Sequence, residues 1–251
     1  MTTVIYADQD FVACDSKWAC EGSRLSLHDH YINKYVYFTG DKSDYIAFFA
    51  GDEYPIVAYQ ALYQKAISND DFLRYSTEQA ELNLSVEWLI VDKTSGAYVN
   101  SNAMASWFFD IRYLGTGGEH AAHFFHYSKR VKYRSIYENN VVGAMKYAYY
   151  KDPKYSGHPH NLKSWNPKYP INNTVDNNHH MYRDVLISRL GELNMNNNGG
   201  HAITELPVVA KLSPVKDRRM VLPPLKTTPS NSAPKVTVSS AISMMNFLNT
   251  L

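Results

Sequence analysis

The second residue of the chain is a threonine behind a single methionine, in MTTVIYADQDFVACDSKWAC. A hydroxyl is a poor nucleophile unless a base sits beside it. A threonine that begins a chain carries its own base, because an α-amine titrates at about 7.7–8.0 and can take the hydroxyl proton near neutrality. A residue as small as Thr2 permits removal of Met1, which makes Thr2 a candidate nucleophile. Met-Thr starts are common, so the case turns on what would surround that hydroxyl.

Other chemistries are less well supplied. Of the ten histidines, His120, His123 and His126 recur every third residue, and His28 and His30 flank one residue. Three-residue steps drift around a helix, no cysteine cluster joins them, and no Glu-x-x-His pairing appears. Helix-surface or interface histidines are expected there, and no metal. Gly115-Thr116-Gly117-Gly118 offers backbone N–H groups to an anion at a helix start. It lacks the Walker lysine and the dinucleotide spacing, so no cofactor is expected. Cys14 and Cys20 are too few for a disulfide framework and fit a reducing compartment.

The elements that must carry these residues read as hairpins and helices in alternation. Thr2–Ala7 and Asp10–Cys14 form a hairpin around Asp8-Gln9, and Tyr35–Thr39 and Tyr45–Ala50 a second one closed by Gly51. From Pro55 the spacing turns helical, with Ile56, Tyr59, Tyr63 and Ala66 on one face. Val86–Val91 and Ala97–Val99 make a third hairpin, and Phe108–Leu114 a further strand before the glycine turn. Helices are expected over Glu119–Ser128 and from the N-cap candidate Ser135 to Lys151, where Asp152-Pro153 stops the second. Hairpins alternating with helix pairs argue for an α+β fold, not a doubly wound parallel sheet.

In this order the fragments resemble proteasome β subunits and their bacterial homologues, the N-terminal-nucleophile hydrolases. The family begins Thr-Thr-apolar and passes through a hairpin to an Ala-x-Asp-Ser-Arg-like segment, here Ala13-Cys14-Asp15-Ser16-Lys17. Asn33-Lys34-Tyr35-Val36 matches its lysine before a strand, and Phe49-Ala50-Gly51 its strand end. Gly115-Thr116-Gly117-Gly118 matches its glycine turn, and Asp152-Pro153-Lys154-Tyr155-Ser156-Gly157 its Asp-x-x-Tyr-Ser-Gly segment. The resemblance covers roughly residues 2–160. The hairpin from Thr2 to Asp15 is shorter than in relatives, and Asp152 to Ser156 is one residue longer.

The resemblance implies a four-layer αββα sandwich and a site of eight residues. Thr2 would be nucleophile and, through its amine, base; Lys34 would lower the hydroxyl pKa by its charge; Asp15 would hold Lys34. Gly51 would lend an oxyanion N–H, and Thr116 or Gly117, Asp152 and Ser156 would surround the amine. Read singly, each has a plainer role: a loop salt bridge for Asp15 and Lys34, turn glycines for Gly51 and Gly117, a helix-end residue for Asp152.

Bulk properties narrow the partners. With 251 residues, 45% hydrophobic and a net charge of +1, the chain has no electrostatic footprint for nucleic acid or an anionic membrane. It lacks a signal-peptide pattern and an apolar run of about 18 residues, so a cytoplasmic protein is expected. The 20 tyrosines suggest amphipathic packing and contact surfaces rather than an oily core. A domain over 1–205 would precede a Pro/Ser/Thr-rich tail, 206–251, ending in an amphipathic helix. Ile242, Met245 and Leu248 share one face of that helix, and Ser239 or Ser240 could cap it. Docking of this helix on a neighbouring subunit or another protein, or back on its own domain, are both open. The expected function is a threonine peptidase acting on peptides or proteins as a homo-oligomer. The alternative is a catalytically silent assembly protein of the same fold that binds through its tail and tyrosine-rich surface. Long tail and Asn-rich loops also fit a viral source such as a phage, with the host cytoplasm or virion as location.

Overall fold

The computed structural model describes residues 3–19, 26–27, 32–102, 106–130, 140–158, 162–167, 179–198 and 234–251. Thr2, Cys20, His28, His30, Ser135 and the 205/206 boundary lie outside the described residues. Strands β1 (Val4–Ala7) and β2 (Phe11–Cys14) form the first hairpin, followed by the short pair β3 (Trp18–Ala19) and β4 (Ser26–Leu27). Next come β5 (Tyr35–Thr39), β6 (Asp44–Gly51), helices α1 (Glu53–Tyr63) and α2 (Asn69–Glu81), then β7 (Val86–Asp92) and β8 (Tyr98–Ser101). The chain continues with β9 (Ser106–Phe108), β10 (Ile111–Leu114), α3 (Gly118–Arg130), α4 (Asn140–Lys151) and β11 (Lys163–Trp165). Helices α5 (His179–Asn198) and α6 (Val238–Leu248) complete it.

Two antiparallel sheets carry the architecture, ordered β11-β2-β1-β10-β9 and β5-β6-β7-β8. Strand alternation decides what each face covers. Val4 and Tyr6 of β1 meet Ile46, Phe48 and Leu89 in a core between the two sheets. Ile5 and Ala7, one residue out of phase, pack with Ala121, Phe125 and Met145 of α3 and α4. On the second sheet Ala47 and Phe49 instead face α1, α2, α5 and α6. Enclosed between this sheet and α2 and α5, α1 is buried from Tyr54 to Tyr63 on every side rather than on one face.

Several expectations are revised. The first hairpin closes through Asp8–Asp10, with Gln9 left-handed at φ 54 and the Asp10 N–H on the Ala7 carbonyl, which sets Val4 opposite Cys14. The stretch Phe108–Leu114 is two strands, broken where Phe109 adopts φ 57. Tyrosines are core as much as surface: Tyr6, Tyr35 and Tyr59 are among the largest fully buried side chains. Their hydroxyl ends find partners, as where Tyr182 Oη donates to Gln60 Oε1 at 2.6 Å.

The chain end returns to this domain. The Val236 N–H bonds the Leu84 carbonyl at 2.9 Å, and Ala241, Met244 and Leu251 join the core beside α1. Helix α6 is capped by Thr237, not by Ser239 or Ser240, although Ser240 supplies the other half of a capping box. Its buried stripe is Ala241 and Met244, while Ile242 is 43% exposed.

Candidate active site

Asp15 lies one residue beyond β2, 1% exposed, and its carboxylate gathers four donors. Oδ2 accepts the Thr3 N–H at 2.8 Å and the Gly157 N–H at 3.0 Å. Oδ1 accepts the Lys17 N–H at 3.0 Å and the Lys34 ammonium at 3.4 Å. In return the Asp15 N–H donates to the Thr3 carbonyl at 3.1 Å, so Thr3 and Asp15 extend the β1–β2 ladder by one pair. A buried carboxylate is tolerable when its lone pairs are filled in this way.

Lys34 stands just before β5 and is 3% exposed. Its ammonium donates to the Lys17 carbonyl as well as to Asp15, and lies 4.9 Å from the centre of the Trp18 ring. Burial lowers its pKa from the usual lysine range, and the Asp15 charge works against that fall.

A second cluster abuts the first. Thr3 Oγ1 donates to Ser156 Oγ at 2.8 Å. Gly117 lies against both oxygens, so closely that a Cβ there would collide with each. Thr116 Oγ1 donates to Asp152 Oδ2, and the Ser156 N–H closes an i+4 turn on the Asp152 carbonyl at 2.9 Å. Lys17 locks that turn from the other side, its ammonium bonding the carbonyls of Pro153 at 2.7 Å and Ser156 at 3.4 Å. Burial lowers the Lys17 pKa.

Gly51 ends β6 with φ 127, where a side chain would run into the Ser85 carbonyl and Val86 Cα. The Phe49 N–H bonds the Lys34 carbonyl at 2.9 Å and the Asp52 N–H the Ser85 carbonyl at 2.8 Å. By strand alternation the Gly51 amide therefore lies on the edge that carries Lys34.

Seven of the eight expected site residues are thus described, and they fall at one end of the two sheets, where β1 and β5 begin and β6 ends. The eighth, Thr2, precedes Thr3, which is anchored by main chain and side chain. Sequence reading gave no separate role to Thr3, Lys17 or Gly157. The signal was present in the Asp-Ser-Lys and Tyr-Ser-Gly fragments that contain two of them. Cys14 is a poor rival nucleophile, since burial pushes its thiol up to about 12.

The histidines sit elsewhere. His126 stacks on Phe109 with ring centres 3.9 Å apart, and His123 packs edge-on against Phe108. Both are buried, against the surface or interface setting expected of them. Burial lowers the pKa of His123 and of His120. No group of three potential metal ligands occurs among the described residues, and no helix among them is long and apolar enough to cross a membrane.

No family model and no curated protein matches the chain. Solved structures similar to it include BPH of Thiobacillus denitrificans in complex with epoxomicin, at 14% identity and TM-score 0.39, covering 66% of this chain and 97% of that one. Anbu, an ancestral β-subunit, from Yersinia bercovieri is 10% identical with TM-score 0.42, covering 82% and 100%. Anbu from Hyphomicrobium sp. strain MC1 is 8% identical with TM-score 0.41, covering 81% and 99%. These neighbours are bacterial proteasome-like proteins. Likenesses of this size assign neither a family nor an activity, for which the chain's own geometry must speak.

Proposed function

We propose that the chain is an N-terminal threonine hydrolase of the proteasome β-subunit type, its two sheets and flanking helices forming an αββα sandwich. The observation that carries this reading is the Asp15 carboxylate, which holds both the Thr3 N–H and the Lys34 ammonium. One carboxylate thereby fixes the residue after Thr2 and the cation expected beside its hydroxyl. Once Met1 is removed, the Thr2 amine takes the hydroxyl proton and Thr2 Oγ1 attacks a peptide carbonyl. The oxyanion is met by the Gly51 N–H, and the amine passes its proton to the leaving amine. An ester on Thr2 remains, which water hydrolyses by the same base. Lys34 contributes a buried positive field, and Thr116, Gly117, Asp152 and Ser156 hold the strand end and the amine in place.

A second reading, a non-catalytic binding protein of the same fold, has one observation in its favour. At the opposite end of the sheets Trp107 and Phe109 are 57% and 63% exposed, beside a cavity of about 460 Å³. Intact-mass measurement separates the two: complete retention of Met1 sinks the hydrolase. With Met1 absent, a threonine-directed electrophile should add one equivalent to the chain, and Thr2→Ala should abolish the addition. Undiminished labelling of Thr2→Ala would remove Thr2 from the role.

A further inference from the structure

Asp15 is not the site end's only buried carboxyl. Glu87 interrupts the apolar run Val-Glu-Trp-Leu-Ile-Val of β7, is 7% exposed, and lies opposite Ala50 in the β6–β7 register. Two and four residues on, Leu89 and Val91 belong to the core between the sheets, so alternation turns Glu87 to that same side. There its Oε2 accepts the N–H of Gly115 at 2.5 Å. Burial raises the carboxyl's pKa, and the Gly115 N–H opposes the rise. An apolar residue would suit this position at less desolvation cost.

Gly115, at φ 74, opens the turn on which the second cluster depends. Its carbonyl accepts the Gly118 N–H at 3.1 Å, which closes the turn at its far side. Between those two points Thr116 bonds Asp152, and Gly117 lies against Thr3 Oγ1 and Ser156 Oγ. The turn belongs to the first sheet through β10, while Glu87 belongs to the second. Gly51, one pair along the same β6–β7 ladder, lies opposite Val86.

We infer that Glu87 is a positioning residue: by holding the Gly115 N–H from the opposite sheet, it fixes the Gly115–Gly118 turn against Thr3, Ser156 and Asp152. Its catalytic consequence rests on the hydrolase reading, but the hold on the turn does not. Three variants separate acceptor, charge and bulk. Glu87→Gln keeps an acceptor at the same reach, Glu87→Met keeps the volume without one, and Glu87→Asp keeps the carboxyl one methylene short. Amide hydrogen exchange at Gly115 and electrophile labelling of Thr2 are read in each, at matched fold stability.

In Glu87→Met and Glu87→Asp, the Gly115 amide should exchange about tenfold faster and labelling should slow about tenfold, the scale of leaving one buried N–H without its acceptor. Glu87→Gln should restore both to near the wild-type values. Unchanged Gly115 exchange in Glu87→Met, or slowed labelling without faster exchange, would overturn the inference. If Glu87→Met does not fold, the Asp and Gln variants carry the same comparison. If wild-type chain is never labelled, the hydrolase reading fails, and Gly115 exchange alone still decides whether Glu87 holds the turn.

Discussion

The two ends of the paired sheets are built on opposite rules. At the end where Val4 faces Leu114, polar groups are buried and cross-linked: Asp15 carries four donors, and Thr3 and Ser156 are completely enclosed. At the end where Ala7 faces Ile111, aromatic rings are left in solvent. There Arg112 lies between Tyr98 and Trp107, 3.8 and 4.0 Å from the ring centres, and Asp8 and Asp110 help line the cavity. Buried polar groups cost stability unless all are satisfied, so a cluster like the first holds a single arrangement. At the second end the exposed Trp107 ring can be lost without leaving a buried polar group unpaired. The difference teaches where sequence change should be tolerated and where it should not.

The largest effect is expected at Asp15. Asp15→Ala strips the acceptor from three backbone N–H groups and from Lys34 together. Removing one member of a buried pair costs about 3–5 kcal/mol. Urea denaturation should show a loss of that size together with the end of Thr2 labelling. A loss below about 1 kcal/mol would mean that the network is not what orders this end.

Lys34→Met should cost less, about 1–3 kcal/mol, because Asp15 keeps its three backbone donors. Labelling should nevertheless fall by about a hundredfold, a scale typical of losing one electrostatic contributor. The alkaline limb gives a second readout. Burial sets the folded Lys34 pKa below that of the unfolded chain, so between the two values the unfolded state binds more protons. Stability contributed by this group therefore rises with pH through that window and levels off above the unfolded value of about 10.4. Tyr59, pushed up to about 12 by burial, acts in the opposite sense above pH 10, so the wild-type minus Lys34→Met difference is the quantity to follow. A difference that stays flat on the alkaline side would take Lys34 out of the buried site.

How much of this was legible beforehand follows from the kind of signal involved. Asp15, Lys34, Ser156 and Gly117 stand in short fragments whose order along the chain was readable, although no single fragment was specific. Helix α2 was not read, because the face it buries is Phe72, Ser76 and Gln79, too polar to give an apolar period. The break in Phe108–Leu114 went unseen because a phenylalanine, not glycine or asparagine, takes the left-handed conformation. Glu87 carries no local signal of its role, since its partner, the Gly115 N–H, lies 28 residues away on another sheet. Local patterns reach most of the elements, but not α2 or the Thr237 cap of α6. Contacts between sheets are set by packing, which single-sequence periodicity does not carry.

The smallest effect is expected at the open end. Trp107 lies on the short edge strand β9, and its main described contact is the Arg112 guanidinium. Trp107→Ala should lose about 0.5–1 kcal/mol, the worth of an exposed cation–π contact, and leave Thr2 labelling unchanged. Urea denaturation at two protein concentrations checks both the size and its origin. A loss near 3 kcal/mol that grows with protein concentration would show the ring to be covered in solution by a second copy, as full burial of a large aromatic side chain requires. The contrast between a closed end and an open one would then describe the isolated chain and not its assembly, and the homo-oligomer expected of a proteasome-like hydrolase would have its contact surface at Trp107 and Phe109.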